Sequence, residues 1–266
     1  MESLIDRPPR ADILGCPLDR VDLSGAVEVC RDSINRSSYV QHMAINAAKL
    51  VAMQDDAALA SVIRDCGLIT ADGQAVVWAS RVLGDPLPTR VAGIDLMLEL
   101  MRASADNGYR VFILGARAEV LETACGRLTS RFPTLQIAGT HHGYFGPAEE
   151  DDIAATIRAA DPDILFVAMG SPRKELFLGR YGRGLGVPFV MGVGGSVDVI
   201  AGKTRRAPRV MQQAGLEWLF RLIQEPRRLL RRYATTNTRF LLLVGREAMR
   251  RWTSSAGDRP SLDQGG

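Results

Sequence analysis

Residues 164–196 read ILFVAMGSPRKELFLGRYGRGLGVPFVMGVGGS and carry the clearest signal of the fold class. An apolar run of strand length at 164–168 is followed by a segment of helical period near 173–181 and by a second apolar run at 189–193. Two strands separated by one helix are typical of the crossover unit that joins parallel strands. The stretch therefore predicts a parallel sheet covered by helices.

The same alternation extends over about residues 39–195. It predicts further strands at 40–45, 68–70, 111–114 and 137–140, and helices near 47–64, 74–83, 94–107, 118–131 and 150–160. We expect an α/β fold in which a largely parallel sheet has helices on both faces. Ligands of such sheets bind at the carboxyl ends of the strands, so the residues directly after each apolar run are the first site candidates.

The net charge of +3 conceals an asymmetry along the chain. Residues 203–251 contain thirteen Lys or Arg and three Glu, a balance of +10, whereas residues 1–202 contain nineteen basic and twenty-five acidic side chains, a balance of −6. We therefore predict a core at 1–202, a basic amphipathic helical appendage at 203–252 and a disordered tail at 253–266. A basic segment of this kind favours anionic partners such as phosphates.

The appendage has apolar residues near helical spacing with arginines between them, and Pro226 is expected to divide it into two helices. This composition is typical of a helix in the membrane interface. A helix pair packed on the domain, with solvated arginines, is the alternative. The longest aliphatic run is far shorter than the roughly 18–20 apolar residues that cross a bilayer, so we expect a soluble or peripheral protein.

Asp72 is the candidate catalytic residue, because it directly follows the strand predicted at 68–70 and precedes Gly73. A carboxylate at that edge of the sheet can accept a proton from an attacking hydroxyl group. The alternative is that Asp72 caps the next helix.

Candidate phosphate ligands occur at three places. Arg90 lies in the loop 88–93, and Arg205 and Arg206 lie in 203–208; each is alternatively a solvated surface charge. Gly194 and Gly195 follow a predicted strand and resemble a turn whose backbone N–H groups cradle an anion. The Asp-Pro-Asp sequence at 161–163 precedes its strand, at the end opposite the ligands, so we expect no bound metal.

The ordered motifs of residues 13–233 resemble the WecG/TagA/CpsF family of bacterial glycosyltransferases, glycosyltransferase family 26. They read NA at 46–47, ADG at 71–73, RVAGID at 90–95, HGYF at 142–145, MGSP at 169–172 with Glu175, GVGGSVD at 192–198 and EW at 217–218. The resemblance implies a Rossmann-like core with a C-terminal appendage and an inverting, metal-independent transfer from a UDP-sugar. No cofactor is implied beyond that substrate.

In members that build teichoic acids or enterobacterial common antigen, the donor sugar is N-acetylmannosamine or its uronic acid. The acceptor is a sugar on undecaprenyl diphosphate at the inner face of the membrane. The resemblance thus implies cell-envelope polysaccharide synthesis by a cytoplasmic protein, peripheral on that anionic membrane surface. Whether the chain forms a homo-oligomer does not follow from its sequence.

Carried over by position, the resemblance makes Asp72 the general base. It places donor or acceptor contacts at Asn46, Arg90, His142, Lys174, Glu175, Gly194, Gly195 and Asp198. It makes Arg221, Arg228 and Arg231 appendage residues that close over the pocket and bind diphosphate.

Lys174 stands where the family commonly has Gln, which leaves the donor open between N-acetylmannosamine-type and glucose-type sugars. Ala44 stands where Thr is common, which removes a possible hydroxyl contact.

Two other functions remain as alternatives. An Arg-rich arm with interleaved aromatic residues is compatible with a nucleic-acid-binding module. A nicotinamide-dependent oxidoreductase fits less well, because Val197 stands where the dinucleotide fingerprint requires its third glycine.

Overall fold

A computed structural model describes residues 8–257, apart from the side chains of Arg228, Arg231, Arg232 and residues 254–257. The chain begins with a hairpin, β1 (Arg10–Ile13) and β2 (Cys16–Asp19), and continues into α1 (Leu23–Asn35). The later elements are β3 (Val40–Ile45), α2 (Ala47–Asp55), α3 (Ala57–Arg64), β4 (Leu68–Ala71), α4 (Gln74–Val82), α5 (Gly93–Asn107), β5 (Arg110–Gly115), α6 (Ala118–Arg131), β6 (Gln136–His141), α7 (Glu150–Ala160), β7 (Ile164–Ala168), α8 (Arg173–Tyr181), β8 (Phe189–Gly192), α9 (Ser196–Ile200), α10 (Arg209–Gln213), α11 (Glu217–Gln224) and α12 (Pro226–Gly257).

Six strands form one parallel sheet in the order β4-β3-β8-β7-β5-β6. The apolar runs form its interior because both faces are covered: α1, α5, α6 and α9 pack on one face, and α2, α3, α4, α7 and α8 on the other. Phe112, Phe166 and Phe189 are fully buried in this core. The predicted parallel α/β fold is confirmed.

Each strand predicted for the parallel sheet forms within one residue of its expected bounds. The single helix expected at 47–64 is wrong, because the chain forms α2 and α3 instead. Asp56 separates them: its backbone is extended, and its carboxylate accepts a hydrogen bond from Leu59 N at 2.9 Å. An Asp in that position ends one helix and caps the next.

The N-terminal hairpin is held against the edge strand β4 by Asp19. Its carboxylate is fully buried, pairs with Arg10 at 2.8 Å and accepts a hydrogen bond from Ile69 N at 2.6 Å. Ala11, Ile13 and Leu18 join the same apolar core as β4. The hairpin is a separate two-stranded sheet that covers this edge of the parallel sheet.

Pro226 begins α12, so the expected division of the appendage into two helices is confirmed at that residue. Phe240 and Val244 bury one side of α12 in the core beside α2, and Arg239 pairs with Asp55 at 2.5 Å. A disordered tail beginning at 253 is wrong for residues 253–257, which are helical. Residues 252–256 contain no Pro or Gly, and extending an existing helix costs much less free energy than starting a new one. Residues 258–266 lie outside the described part of the chain.

Within residues 8–257, none of the helices has both the length and the apolar composition that crossing a bilayer requires.

Candidate active site

Asp72 lies at the carboxyl end of β4 and is held by two hydrogen bonds. Its backbone N–H donates to Ile45 O at 2.8 Å, and its Oδ1 accepts from Gly93 N, at the start of α5, at 2.9 Å. The alternative that Asp72 caps α4 is wrong, because the cap of α4 is Gly73 and has no side-chain bond. The positive end of α5 instead stabilises this carboxylate. Among the described groups, none donates a hydrogen bond to Oδ2.

Asn46 lies beside Asp72, because β3 and β4 pair with Ile45 opposite Ala71. Its side chain caps α2 by accepting a hydrogen bond from Lys49 N at 3.1 Å. A Cβ on Gly73 would lie 3.5 Å from the Cβ of Asn46, so the two turns are in contact. The expected placement of Asn46 next to Asp72 agrees with this geometry.

The turn after β8 lies next to this pair in the sheet, since β8 is the other neighbour of β3. Gly194 has a φ of +52°, and Cβ atoms at Gly194 and Gly195 would each meet open space. The backbone is therefore accessible there, as an anion-binding turn requires. Asp198 follows on α9, and its carbonyl accepts hydrogen bonds from the N–H groups of Lys203 and Thr204 at 2.9 and 3.2 Å.

A buried charge cluster lies beneath the ends of β3 and β8. The Glu175 side chain is fully buried, and its Oε1 is 2.5 Å from Lys174 Nζ and 3.2 Å from Lys49 Nζ. Oε2 has no hydrogen-bond partner among the described groups. Burial and the neighbouring Lys49 lower the pKa of Lys174 to about 8. The two lysines hold the pKa of Glu175 below its ordinary value, against the effect of burial. The cluster thus has two cationic groups for one carboxylate.

Arg90 and Arg206 join the core to α11 through the same carboxylate. Both pair with Glu217, Arg206 at 3.3 Å, and Arg206 also makes a bidentate pair with Asp95 at 2.6 and 2.7 Å. The Arg90 and Arg206 side chains are 14% and 22% exposed, so neither is a solvated surface charge. The hydrogen bonds to Asp95 and Glu217 raise the pKa of Arg206, against the effect of burial. These contacts fix α11 over the start of α5.

His142 follows β6, at the edge of the sheet opposite Asp72. Five strand spacings of about 4.8 Å separate β6 from β4, a distance of about 24 Å. The His142 Nδ1 accepts a hydrogen bond from Tyr144 N at 3.3 Å. Arg173 holds the loop that contains His142 by donating hydrogen bonds to Gly143 O at 2.9 Å and to Phe145 O. His142 and the Asp72–Asn46 pair therefore lie at opposite edges of the sheet.

The appendage arginines are only partly described. Arg221 lines a small cavity with Arg205, Arg206 and Glu217, next to the start of α5. Arg228 and Arg231 lie on α12, and their side chains are outside the description.

Over residues 8–257, the His, Cys, Asp and Glu side chains form no group of three or more that is placed to hold a metal ion. Asp161 ends α7 in the left-handed conformation, and Asp163 accepts a hydrogen bond from Arg110 N at 2.8 Å. The Asp-Pro-Asp sequence is therefore a turn at the amino end of β7, as predicted.

The structure adds two residues, Lys49 and Glu217, to which the sequence patterns assign no role, although Glu217 stands in the motif at 217–218. Lys49 is the one charged residue in the apolar segment 47–53 of α2, a signal that could have indicated a buried ion pair. The role of Glu217 has no local signal, because its partner Arg90 lies 127 residues away.

The sequence model of a protein family described as Glycosyl transferase WecG/TagA/CpsF matches residues 11–254. The match takes in each strand of the parallel sheet, α11 and nearly all of α12.

Proposed function

Because the chain belongs to the WecG/TagA/CpsF family, and is thereby a glycosyltransferase of cell-envelope polysaccharide synthesis, we propose a specific reaction. The enzyme transfers a hexose, of N-acetylmannosamine or glucose type, from a UDP-sugar to a sugar on undecaprenyl diphosphate. The transfer inverts the anomeric configuration and requires no metal ion and no further cofactor. No observation in the described residues favours a nucleic-acid arm or a nicotinamide site.

The hydrogen bonding of the Asp72 carboxylate supports the proposed mechanism. The Gly93 N–H fixes one carboxylate oxygen, and the other has no donor among the described groups, at the carboxyl end of β4. In the proposed step, the acceptor oxygen bonds to the anomeric carbon while the bond from that carbon to the diphosphate oxygen breaks. The hydroxyl proton passes to Asp72, and UDP leaves with the bonding electron pair.

The negative charge of the leaving UDP needs stabilisation from the protein in a metal-free mechanism. Backbone N–H groups at Gly194 and Gly195 are accessible for this role. The cationic excess of the Lys49, Lys174 and Glu175 cluster adds positive potential beneath the same turn. We propose that the pocket is completed, when donor and acceptor bind, by Arg221, Arg228 and Arg231. Arg90 and Arg206 hold α11 against the core through Glu217.

Transfer is expected to persist in EDTA. The arginines and backbone dipoles carry the charge that a divalent cation would otherwise neutralise, so chelation removes nothing that the reaction uses. The assay measures release of UDP from a UDP-hexose with a sugar on farnesyl diphosphate as acceptor, before and after dialysis against EDTA. Activity that is lost in EDTA and restored by Mg²⁺ or Mn²⁺ contradicts the metal-free mechanism.

We further propose that α11 and the start of α12 dock on the anionic inner face of the cell membrane. Trp218, Ile223 and Leu230 are exposed by 44%, 67% and 61% and lie among arginines. Deleting residues from 203 onward is a poor test of this role, because it would uncover the core that Phe240 and Val244 cover. Point substitutions on the exposed face leave that core intact.

Ile223→Asp is expected to weaken binding to vesicles that contain phosphatidylglycerol by about tenfold or more. Burying an aliphatic side chain contributes about 1.5–3 kcal/mol, and about 1.4 kcal/mol corresponds to a tenfold change in affinity. Vesicle sedimentation measures the effect. Val82→Asp, at a side chain that is 64% exposed on α4, is the matched control. If both variants bind vesicles as tightly as the wild type does, α11 does not contact the membrane.

A further inference from the structure

A groove with an apolar floor and an arginine rim lies between α5, α6 and α9. Its volume is about 310 Å³, and Arg127, Arg131 and Arg206 line it together with the apolar residues Ile94, Leu98, Leu128, Val199 and Ile200. An apolar floor beside several guanidinium groups matches an amphiphile whose polar end is anionic. A free sugar has no anionic group, and the base of a nucleotide has hydrogen-bonding edges that an apolar floor leaves unpaired.

The groove continues toward the appendage. A smaller cavity shares Ile94, Val199 and Arg206 with it and adds Arg205 and Arg221 from the far side, with Glu217 as its one acidic residue. Together the two cavities are lined by five arginines and one glutamate. Asp95, which pairs with Arg206, offsets one more charge, so the net charge around the groove is about +3. The positive charge follows the groove from α6 to α11.

The groove begins at Ile94, close to Asp72, the proposed base. Ile94 follows Gly93, whose N–H donates to Asp72 Oδ1 at 2.9 Å. The first turn of α5 therefore has the base at its amino end and the groove along its side. A ligand with its hydroxyl at Asp72 could extend past this turn into the groove.

Two of the rim arginines are fixed in place before any ligand binds. Arg127 Nη1 donates to Ile200 O at 3.1 Å, and its guanidinium occupies the space where a side chain at position 202 would lie. Gly202 has a φ of +76°, so glycine meets both the backbone and the space requirement. Arg206 is held by Asp95 and Glu217. A rim organised in advance lowers the entropy that ligand binding must offset.

We propose that this groove binds the diphosphate and the first isoprene units of the lipid-linked acceptor. The inference rests on the proposed function and specifies where the acceptor lies. The volume is at the lower end of the range of about 300–1,000 Å³ for small-molecule sites, so the groove holds only the polar end of the lipid. The rest of the chain remains in the membrane on which α11 docks.

Two variants test the groove. Arg131→Glu reverses a charge at an exposed rim position, and Leu98→Trp fills the apolar floor. Arg102→Glu is the matched control, because Arg102 is an exposed arginine on α5 that pairs with Glu99 and Asp106 outside the groove. Each protein is titrated calorimetrically with farnesyl diphosphate, farnesol and inorganic pyrophosphate, and UDP affinity is measured in parallel.

The wild type is expected to bind farnesyl diphosphate at least about tenfold more tightly than farnesol or pyrophosphate. Both groove variants should weaken that binding, and raise the KM for a sugar on farnesyl diphosphate, by about tenfold or more, with kcat and UDP affinity unchanged. Unchanged farnesyl diphosphate affinity and acceptor KM in Arg131→Glu would overturn the groove and leave the transferase function standing. If pyrophosphate binds as tightly as farnesyl diphosphate, the proposal that the groove binds the isoprene units is contradicted. Absence of transfer by the wild type to any lipid-linked sugar would instead overturn the proposed function.

Discussion

Replacing Asp72 by Asn is expected to lower the turnover number by about 10²–10⁴, the usual contribution of a general base, with UDP affinity unchanged. Asn keeps an oxygen that accepts the Gly93 N–H, so the turn after β4 is retained. The amide cannot take the acceptor proton. Steady-state kinetics with a saturating UDP-hexose and a sugar on farnesyl diphosphate measure the effect.

Asp106→Asn is the matched control for this substitution. Asp106 is an exposed carboxylate near the end of α5 that pairs with Arg102 at 3.2 Å. Its turnover number should equal that of the wild type. If Asp72→Asn also retains full turnover, Asp72 only anchors the start of α5, and another group must accept the proton.

Replacing Glu175 by Gln is expected to lower the free energy of unfolding by about 3–5 kcal/mol, the range found when one partner of a buried ion pair is removed. The carboxylate is fully buried, and the substitution leaves Lys174 and Lys49 facing each other without it. Urea unfolding followed by circular dichroism measures the difference. Glu122→Gln, at an exposed position on α6, should differ from the wild type by less than about 0.5 kcal/mol.

The loss of stability in Glu175→Gln should depend on pH with a defined sign. The pKa of Lys174 is already lowered to about 8 in the folded wild type, and removing the carboxylate lowers it further. A depressed folded-state pKa means that the unfolded chain binds more protons, so the stability of the variant rises with pH. The deficit relative to the wild type should therefore be smaller near about pH 9 than near about pH 7. A deficit that is equal at both values would show that Lys174 is not the buried cation responsible.

The parallel sheet was predictable because its strands are buried on both faces and appear in the sequence as continuous apolar runs. The stretch 164–168 became β7 without any change of bounds. The N-terminal hairpin escaped prediction because its strands read RADI and CPLD, which contain no continuous apolar run. Asp19 holds them through tertiary contacts, above all with Ile69, and such contacts leave no periodic signal.

The sequence predicted those site residues that directly follow the carboxyl ends of parallel strands. Asn46 and Asp72 follow neighbouring parallel strands, and the structure places them together. The positions of strand ends do not give the order of strands in the sheet, so the sequence did not show that His142 lies at the edge opposite Asp72. Nor do they reveal the ion pairs of Glu217, whose two arginine partners lie in loops that meet α11 only in the folded chain.

The proposed reaction is tested most directly by mass spectrometry of the acceptor. The wild-type protein is incubated with a panel of UDP-hexoses, UDP-N-acetylhexosamines and their uronic acids, in the presence of a sugar on farnesyl diphosphate. We predict that one donor class adds a single glycosyl unit to the acceptor and that Asp72→Asn abolishes most of this product. NMR of the isolated product should show that the anomeric configuration is inverted relative to the donor. An acceptor whose mass stays unchanged with every donor, in the presence of folded protein, would contradict the proposed function.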